Sequence, residues 1–187
     1  MKRICLFTFL CTLLACALSL KAHGQGLTTN QTTDVDTIHL KSVDGRSYDG
    51  ASLRGSVVLL SFGATWCEPC QEELKALEQL KKEYKDKPVK FLWVSVETEE
   101  QVSNSGLRNY AKKLKLTFPV LRDADRLTFV RFSPRLRLPT IVFFDKSGRL
   151  SMPNHVGMAE SSLYLKTMRE RLDKLLTIAA ANNSAGR

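Results

Sequence analysis

Ser56 to Phe62 reads Ser-Val-Val-Leu-Leu-Ser-Phe, a nearly continuous apolar run rather than an alternating one. A strand of that kind suits a sheet covered on both faces, where neither side meets water. Val89–Val96 and Thr140–Phe144 repeat the pattern. Between these runs the period changes. Over residues 69–86, Leu74, Leu77, Lys81 and Tyr84 recur near helical spacing, with Cys70 one turn before Leu74. Leu107, Tyr110, Ala111 and Leu114 fall at i, i+3, i+4 and i+7, which predicts an amphipathic helix over 104–115. A final helix is expected over 160–180, with Leu165, Met168, Leu172, Leu175, Leu176 and Ala179 facing inward. Strands alternating with helices imply a layered α/β domain. Asp145-Lys146-Ser147-Gly148 then turns the chain, and Arg149–His155 is predicted to return as a hairpin partner. A connection that short joins only antiparallel strands, so the central sheet is expected to be mixed. Upstream, Thr37–Leu40 reads as a short strand, with turn signals at Asp44-Gly45 and Asp49-Gly50. Residues 124–132 fit a short helical turn.

The 187 residues hold one such domain plus an N-terminal segment of another kind. Lys2 and Arg3 precede 17 uncharged, largely apolar residues, Ile4–Leu20. That is the charged and apolar pattern of an export signal. Three fates are open: cleavage after Ala22-His23-Gly24, acylation at Cys16 within Leu13-Leu14-Ala15-Cys16, or retention as a membrane anchor. Each places the domain outside the cytoplasm. The expected organisation is an export segment over 1–24, a linker over 25–35, the folded domain over 36–180 and a tail over 181–187. Cys5, Cys11 and Cys16 lie in the export segment, leaving Cys67 and Cys70 as the domain's cysteines. In an oxidising compartment stray thiols are a hazard, so one retained close pair suggests a purpose. Of 28 basic residues, removing Lys2, Arg3 and Lys21 leaves 25 against 19 acidic, a net +6. This reads as a solvated basic surface. No nucleic-acid-binding motif accompanies it, and nucleic acid is not expected as a partner.

Trp66-Cys67-Glu68-Pro69-Cys70 stands where the buried run hands over to the first long helix. Cys67 is expected at the helix N-cap, where unpaired N–H groups and the helix dipole stabilise an anion. That environment lowers a thiol pKa from about 8.5 and favours the nucleophilic thiolate. Cys70, one turn inward, is expected to be more buried and to resolve a mixed disulfide. Two intervening residues bring the sulfurs within bonding reach. Pro69 sits in the first turn, where its missing N–H is harmless.

From about Ile38 to Leu176 the sequence resembles the extracytoplasmic thioredoxins of the TlpA/ResA type, a group that includes cytochrome c maturation reductases. The landmarks are Leu53–Phe62, Ala64–Cys70 with Glu73-Leu74, Val94-Ser95-Val96, Phe118-Pro119-Val120-Leu121, Leu138-Pro139-Thr140 and Asp145–Gly148. The resemblance implies a thioredoxin-like fold with an N-terminal strand or hairpin extension. It further implies a cis Pro139 facing the dithiol, with Leu138 pairing its backbone to a client peptide. Trp66, Glu68 and Pro69 would border that client. Glu73 matches an acidic position of the ResA-type members, where it assists proton movement, yet it also reads as a solvated helix carboxylate. Glu68 either raises the Cys67 pKa or merely complements the helix dipole. Three departures stand out. Ser61 replaces the buried Asp of cytoplasmic thioredoxins, so a relay through that side chain is not expected. Gly63 occupies a position that is often Trp. Arg137 stands where many relatives have Gly or Ala, close to Arg131 and Arg135 and downstream of Arg122 and Arg126. These arginines either act on Cys67 and an acidic partner or form a solvated loop.

The function expected is dithiol–disulfide exchange on protein clients by an extracytoplasmic enzyme, with a membrane protein as electron donor and no bound cofactor. A membrane tether through the N-terminal segment remains open. The competing reading is a copper or zinc module using Cys67, Cys70 and His39 or His155, although a structural zinc site needs four ligands.

Overall fold

In a computed structural model, residues 34–184 are described, with side chains as far as Thr177. The expected export segment, most of the linker, and the last three residues of the tail lie outside the described residues.

Seven strands form one mixed sheet. In chain order they are β1 (His39–Ser42), β2 (Ser47–Asp49), β3 (Val57–Gly63), β4 (Val89–Ser95), β5 (Val120–Arg122), β6 (Thr140–Phe144) and β7 (His155–Val156). Four helices intervene: α1 (Gly50–Leu53), α2 (Glu68–Glu83), α3 (Asn104–Lys113) and α4 (Ser161–Ser184). Across the sheet the order is β2-β1-β5-β4-β3-β6-β7. β3, β4 and β5 run parallel, and the remaining pairings are antiparallel. Every residue of β3 and of β6 is buried, as the continuous apolar runs require. Val57, Leu59, Phe91, Trp93, Ile141 and Phe143 point to one face, which α2, α4 and Leu107 of α3 cover. Val58, Leu60, Phe62, Leu92, Val94 and Val142 point to the other. That second layer is closed by Val35, Ile38, Leu53, Phe129 and Phe132 instead of a long helix. The N-terminal hairpin β1–β2 extends the sheet beside β5, with Lys41 opposite Arg122.

Several boundaries differ from the sequence reading. β2 and β5 are only three residues each, too short for a period-two pattern to register. Asp49-Gly50 is no turn. Asp49 caps α1, accepting the Ser52 N–H while Ser52 Oγ accepts the Asp49 N–H, both at 2.9 Å. The return after Gly148 is broken. Leu150 makes one bridge to Phe144, and regular pairing resumes only at β7. Pro153, with no N–H to donate, lies in the gap. Val35, assigned to the linker, is fully buried, and its N–H bonds the Gly148 carbonyl at 2.7 Å. The inward stripe of α4 is Tyr164, Met168, Leu172 and Leu175, with Leu165 and Leu176 on its flank. The side chain of Ala179 lies beyond those described. α4 continues to Ser184, past the expected end at 180. The C-terminal end of α2 is clamped to the middle of α4: Tyr84 Oη donates to Asp173 Oδ1 at 2.8 Å, and Arg169 donates to both Glu83 oxygens at 2.7 and 2.9 Å.

Candidate active site

β3 delivers the chain to the start of α2 through Ala64, Thr65 and Trp66. Cys67 is the N-cap residue of α2, in extended conformation (φ −86°, ψ 102°). Its Sγ accepts the Cys70 N–H at 3.3 Å, and its carbonyl accepts from the N–H groups of Cys70 and Gln71. Pro69 lies in the first turn, where its missing N–H donor costs no helical hydrogen bond. Cys67 and Cys70 are joined in a disulfide, with S–S 2.03 Å and Cα–Cα 5.2 Å. Cys67 retains 5% exposure and Cys70 none. Trp66, by contrast, is 61% exposed, and Glu68 and Pro69 are exposed beside it.

The Leu138–Pro139 peptide is cis. Leu138 packs against the small buried cluster of Ala64, Cys67 and Cys70, which brings the segment before β6 beside the disulfide. The Leu138 N–H and C=O have no hydrogen-bond partner among the described residues. On both sides the segment is held: Thr140 Oγ1 donates to the Arg137 carbonyl at 2.6 Å, and the Gly157 N–H to the Pro139 carbonyl at 2.8 Å.

Beneath the disulfide sits a buried carboxyl. Glu73 is fully buried, so the solvated-helix reading of it is corrected. The cause is the stripe that Cys70, Leu74 and Leu77 define, since position 73 shares it. Ser61 Oγ donates to Glu73 Oε2 at 2.6 Å. Ser61 therefore is not an empty substitute for an acid; α2 supplies the acid that β3 lacks, and β3 supplies its hydrogen-bond donor. Burial pushes the Glu73 carboxyl up from 4.5 to about 8, against smaller lowering effects of the Ser61 and Tyr164 hydroxyls. The Tyr164 hydroxyl faces Glu73 without closing a hydrogen bond to it. Glu73 Oε1, Tyr164 Oη, Trp93 Nε1 and His155 Nε2 are all buried without a hydrogen-bond partner among the described residues. Trp93, Ser61, Ile141 and His155 form one row across four adjacent strands. The His155 ring meets Tyr164 edge to face, centroids 5.4 Å apart. Burial, with Arg171 as the lesser cause, holds the His155 pKa down.

Three residues with a part in this geometry escaped the sequence reading. Glu97, 2% exposed, accepts from the Thr65 N–H and Oγ1, each at 2.7 Å, and from Ser95 Oγ at 3.1 Å. It thereby pins the loop whose Ala64 carbonyl accepts the Cys67 N–H. No local pattern marks it, because its partner is 32 residues away. Tyr164 opens the α4 stripe, where the aliphatic spacing favours its neighbour Leu165, while Met168, Leu172 and Leu175 face inward as expected. Trp93 explains Gly63: a Cβ there would stand 2.7 Å from Trp93 Nε1 and 3.3 Å from Cys70 Sγ.

The arginines divide by role. Arg122 donates to the carbonyls of Glu97 and Val102 and to Asn104, and Arg126 donates to the Val96 carbonyl. Both brace loops. Arg131 donates to the Leu127 carbonyl. The Arg135 and Arg137 side chains are exposed and lack any partner among the described residues. His39 and His155 lie on β1 and β7, five strand positions apart, or about 24 Å at the usual strand spacing. They cannot join one metal site together. Among the described residues no group of three or more His, Cys, Asp or Glu side chains is placed to hold a metal ion.

Comparison with known proteins adds an independent finding. Residues 32–152 match the AhpC/TSA family. The chain is 34% identical over 135 residues to the thioredoxin-like protein YneN of Bacillus subtilis, covering 72% of this chain and 74% of that one. It is 26% identical over 169 residues to the thiol-disulfide oxidoreductase ResA of the same organism, covering 87% and 90%. A crystal structure of a thiol:disulfide interchange protein of the thioredoxin family from Chlorobium tepidum superposes with a TM-score of 0.57 at 26% identity, covering 76% of this chain and 92% of that one.

Proposed function

The chain belongs to the AhpC/TSA family, with a thioredoxin-like fold, and from that premise we propose that it reduces disulfides of protein clients outside the cytoplasm. It is a thiol–disulfide oxidoreductase. The observation that carries the proposal is the Cys67–Cys70 pair, capping α2 and packed against Leu138 ahead of the cis Pro139. An extracytoplasmic setting rests on the Lys2-Arg3 and Ile4–Leu20 signal pattern. Among the described residues no helix is long and apolar enough to cross a membrane.

In the reduced enzyme the Cys67 thiolate attacks one sulfur of a client disulfide. A bond forms from Cys67 Sγ to that sulfur, and the client's other sulfur leaves as a thiolate that takes up a proton. Cys70 then loses its proton and attacks Cys67 Sγ. The Cys67–Cys70 bond forms, the second client sulfur departs, and two electrons have passed to the client. Glu73, one turn beyond Cys70 and held by Ser61, receives the Cys70 proton in its ionised fraction. The unpaired N–H and C=O of Leu138 hold the client backbone in extended form beside Cys67. Trp66 and Pro69 supply exposed apolar surface to it, and Glu68 lies at its border. A membrane donor restores the dithiol.

Cys67→Ser should abolish reduction of a disulfide-bonded model peptide. Cys70→Ser should accumulate a mixed disulfide through Cys67, visible by mass spectrometry. Mixed disulfides through Cys70 in the Cys67→Ser variant would reverse the assignment. Equilibration with glutathione should give a potential below about −200 mV for a reductase, and a value near that of a strong oxidant would reverse the direction.

A further inference from the structure

Between Asp125 and Asp145 the chain carries four arginines and no acidic residue, and none of the four forms an ion pair among the described residues. Arg126 is tied to the Val96 carbonyl and Arg131 to that of Leu127. Arg135 and Arg137 are exposed, and their guanidinium groups have no partner among the described residues.

Their backbone is held in place. Ser133 Oγ donates to the Arg135 carbonyl at 2.7 Å, Asn154 Nδ2 to the Phe132 carbonyl at 2.7 Å, and Thr140 Oγ1 to the Arg137 carbonyl at 2.6 Å. Both arginines line a cleft of about 320 Å³ whose other walls include Phe132, Pro134, Asn154 and Val156. Leu136 and Val156 are 47% and 45% exposed. Arg137 immediately precedes Leu138, which packs against the cluster that holds both active cysteines. A cationic cleft with apolar rims on a braced backbone thus adjoins the surface where a client must lie.

We propose that Arg135 and Arg137 select client segments that carry a carboxylate side chain within a few residues of the cysteine that pairs with Cys67. The proposal rests on the exchange reading above and names the class of client. Two guanidinium groups without an internal counter-ion attract a carboxylate and repel a cation, and a fixed backbone loses little freedom on binding.

The test uses reduced full-length protein and peptides bearing a cysteine in mixed disulfide with a chromophoric thiol. Three peptides differ only in carrying Glu, Gln or Lys beside the cysteine, and 2-hydroxyethyl disulfide serves as a small neutral substrate. At low salt the Glu peptide should react about ten-fold faster than the Lys peptide, and the ratio should shrink as salt is raised. Arg135→Gln with Arg137→Gln should bring the ratio to about one while the small disulfide reacts as before. A ratio unchanged by the double substitution overturns the proposal. So does an equal slowing of all substrates, which would mean that the arginines act on the thiol. If no disulfide is reduced, the small one included, the exchange reading fails instead. The cleft is then judged by binding of the same peptides with Ser in place of Cys: preference for Glu over Lys, lost in the double variant, sustains it, and equal binding overturns it.

Discussion

Glu73→Gln removes the one fully buried carboxyl beneath the disulfide while keeping its shape. In the folded, oxidised protein burial raises the Glu73 pKa from 4.5 to about 8. Below pH 4.5 the group is protonated whether the chain is folded or not, and its favourable contribution is complete. Between pH 4.5 and 8 the unfolded chain releases this proton and the folded one retains it. Stability therefore falls as pH rises, by about 1.4 kcal/mol per pH unit. Across the window the loss is on the order of 5 kcal/mol, with about 3 kcal/mol reached at pH 7. Against a total of about 5–15 kcal/mol for a domain, that is large. Glutamine has no such proton, and its amide oxygen can accept from Ser61 in place of Oε2. Urea unfolding of both proteins at pH 5, 6, 7 and 8, disulfide intact, isolates the effect, because all other titrating groups are shared. The two stabilities should be closest at pH 5 and diverge with rising pH in favour of the variant. Parallel profiles would refute the buried, proton-retaining carboxyl.

Glu97→Ala leaves the Thr65 N–H and hydroxyl without their partner; it should lower stability by about 1–3 kcal/mol in urea unfolding and alter the potential of the pair, with an unchanged potential arguing against loop positioning. Gly63→Ala drives a Cβ toward Trp93 Nε1 and Cys70 Sγ; thermal unfolding should report a loss of about 1–3 kcal/mol, and wild-type stability would mean that the indole moves aside freely.

Much of the fold was legible because its signals are local. The seven-residue apolar run of β3, the helical spacing of Leu74 and Leu77, and Pro69 after Cys67 each report on neighbours a few positions apart. β2 and β5 were not legible, since three residues carry too little pattern and owe their strand state to β1 and β4 alongside. The α2 stripe already included position 73, but the acidic residue type competed with the spacing.

A layered α/β domain with Cys67 and Cys70 at a strand-to-helix junction follows from the order of residues alone, because periodicity and capping are properties of contiguous positions. What each polar group meets is settled by packing. Ser61 finds Glu73 across 12 residues, and Thr65 finds Glu97 across 32. The arginines make the same point: Arg122 and Arg126 were drawn into bracing loops, while Arg135 and Arg137 found no side-chain partner among the described residues. Nothing local separates those pairs. Burial and hydrogen-bond partnership arise from contacts between distant segments, and such contacts exist only once the sheet and helices have packed.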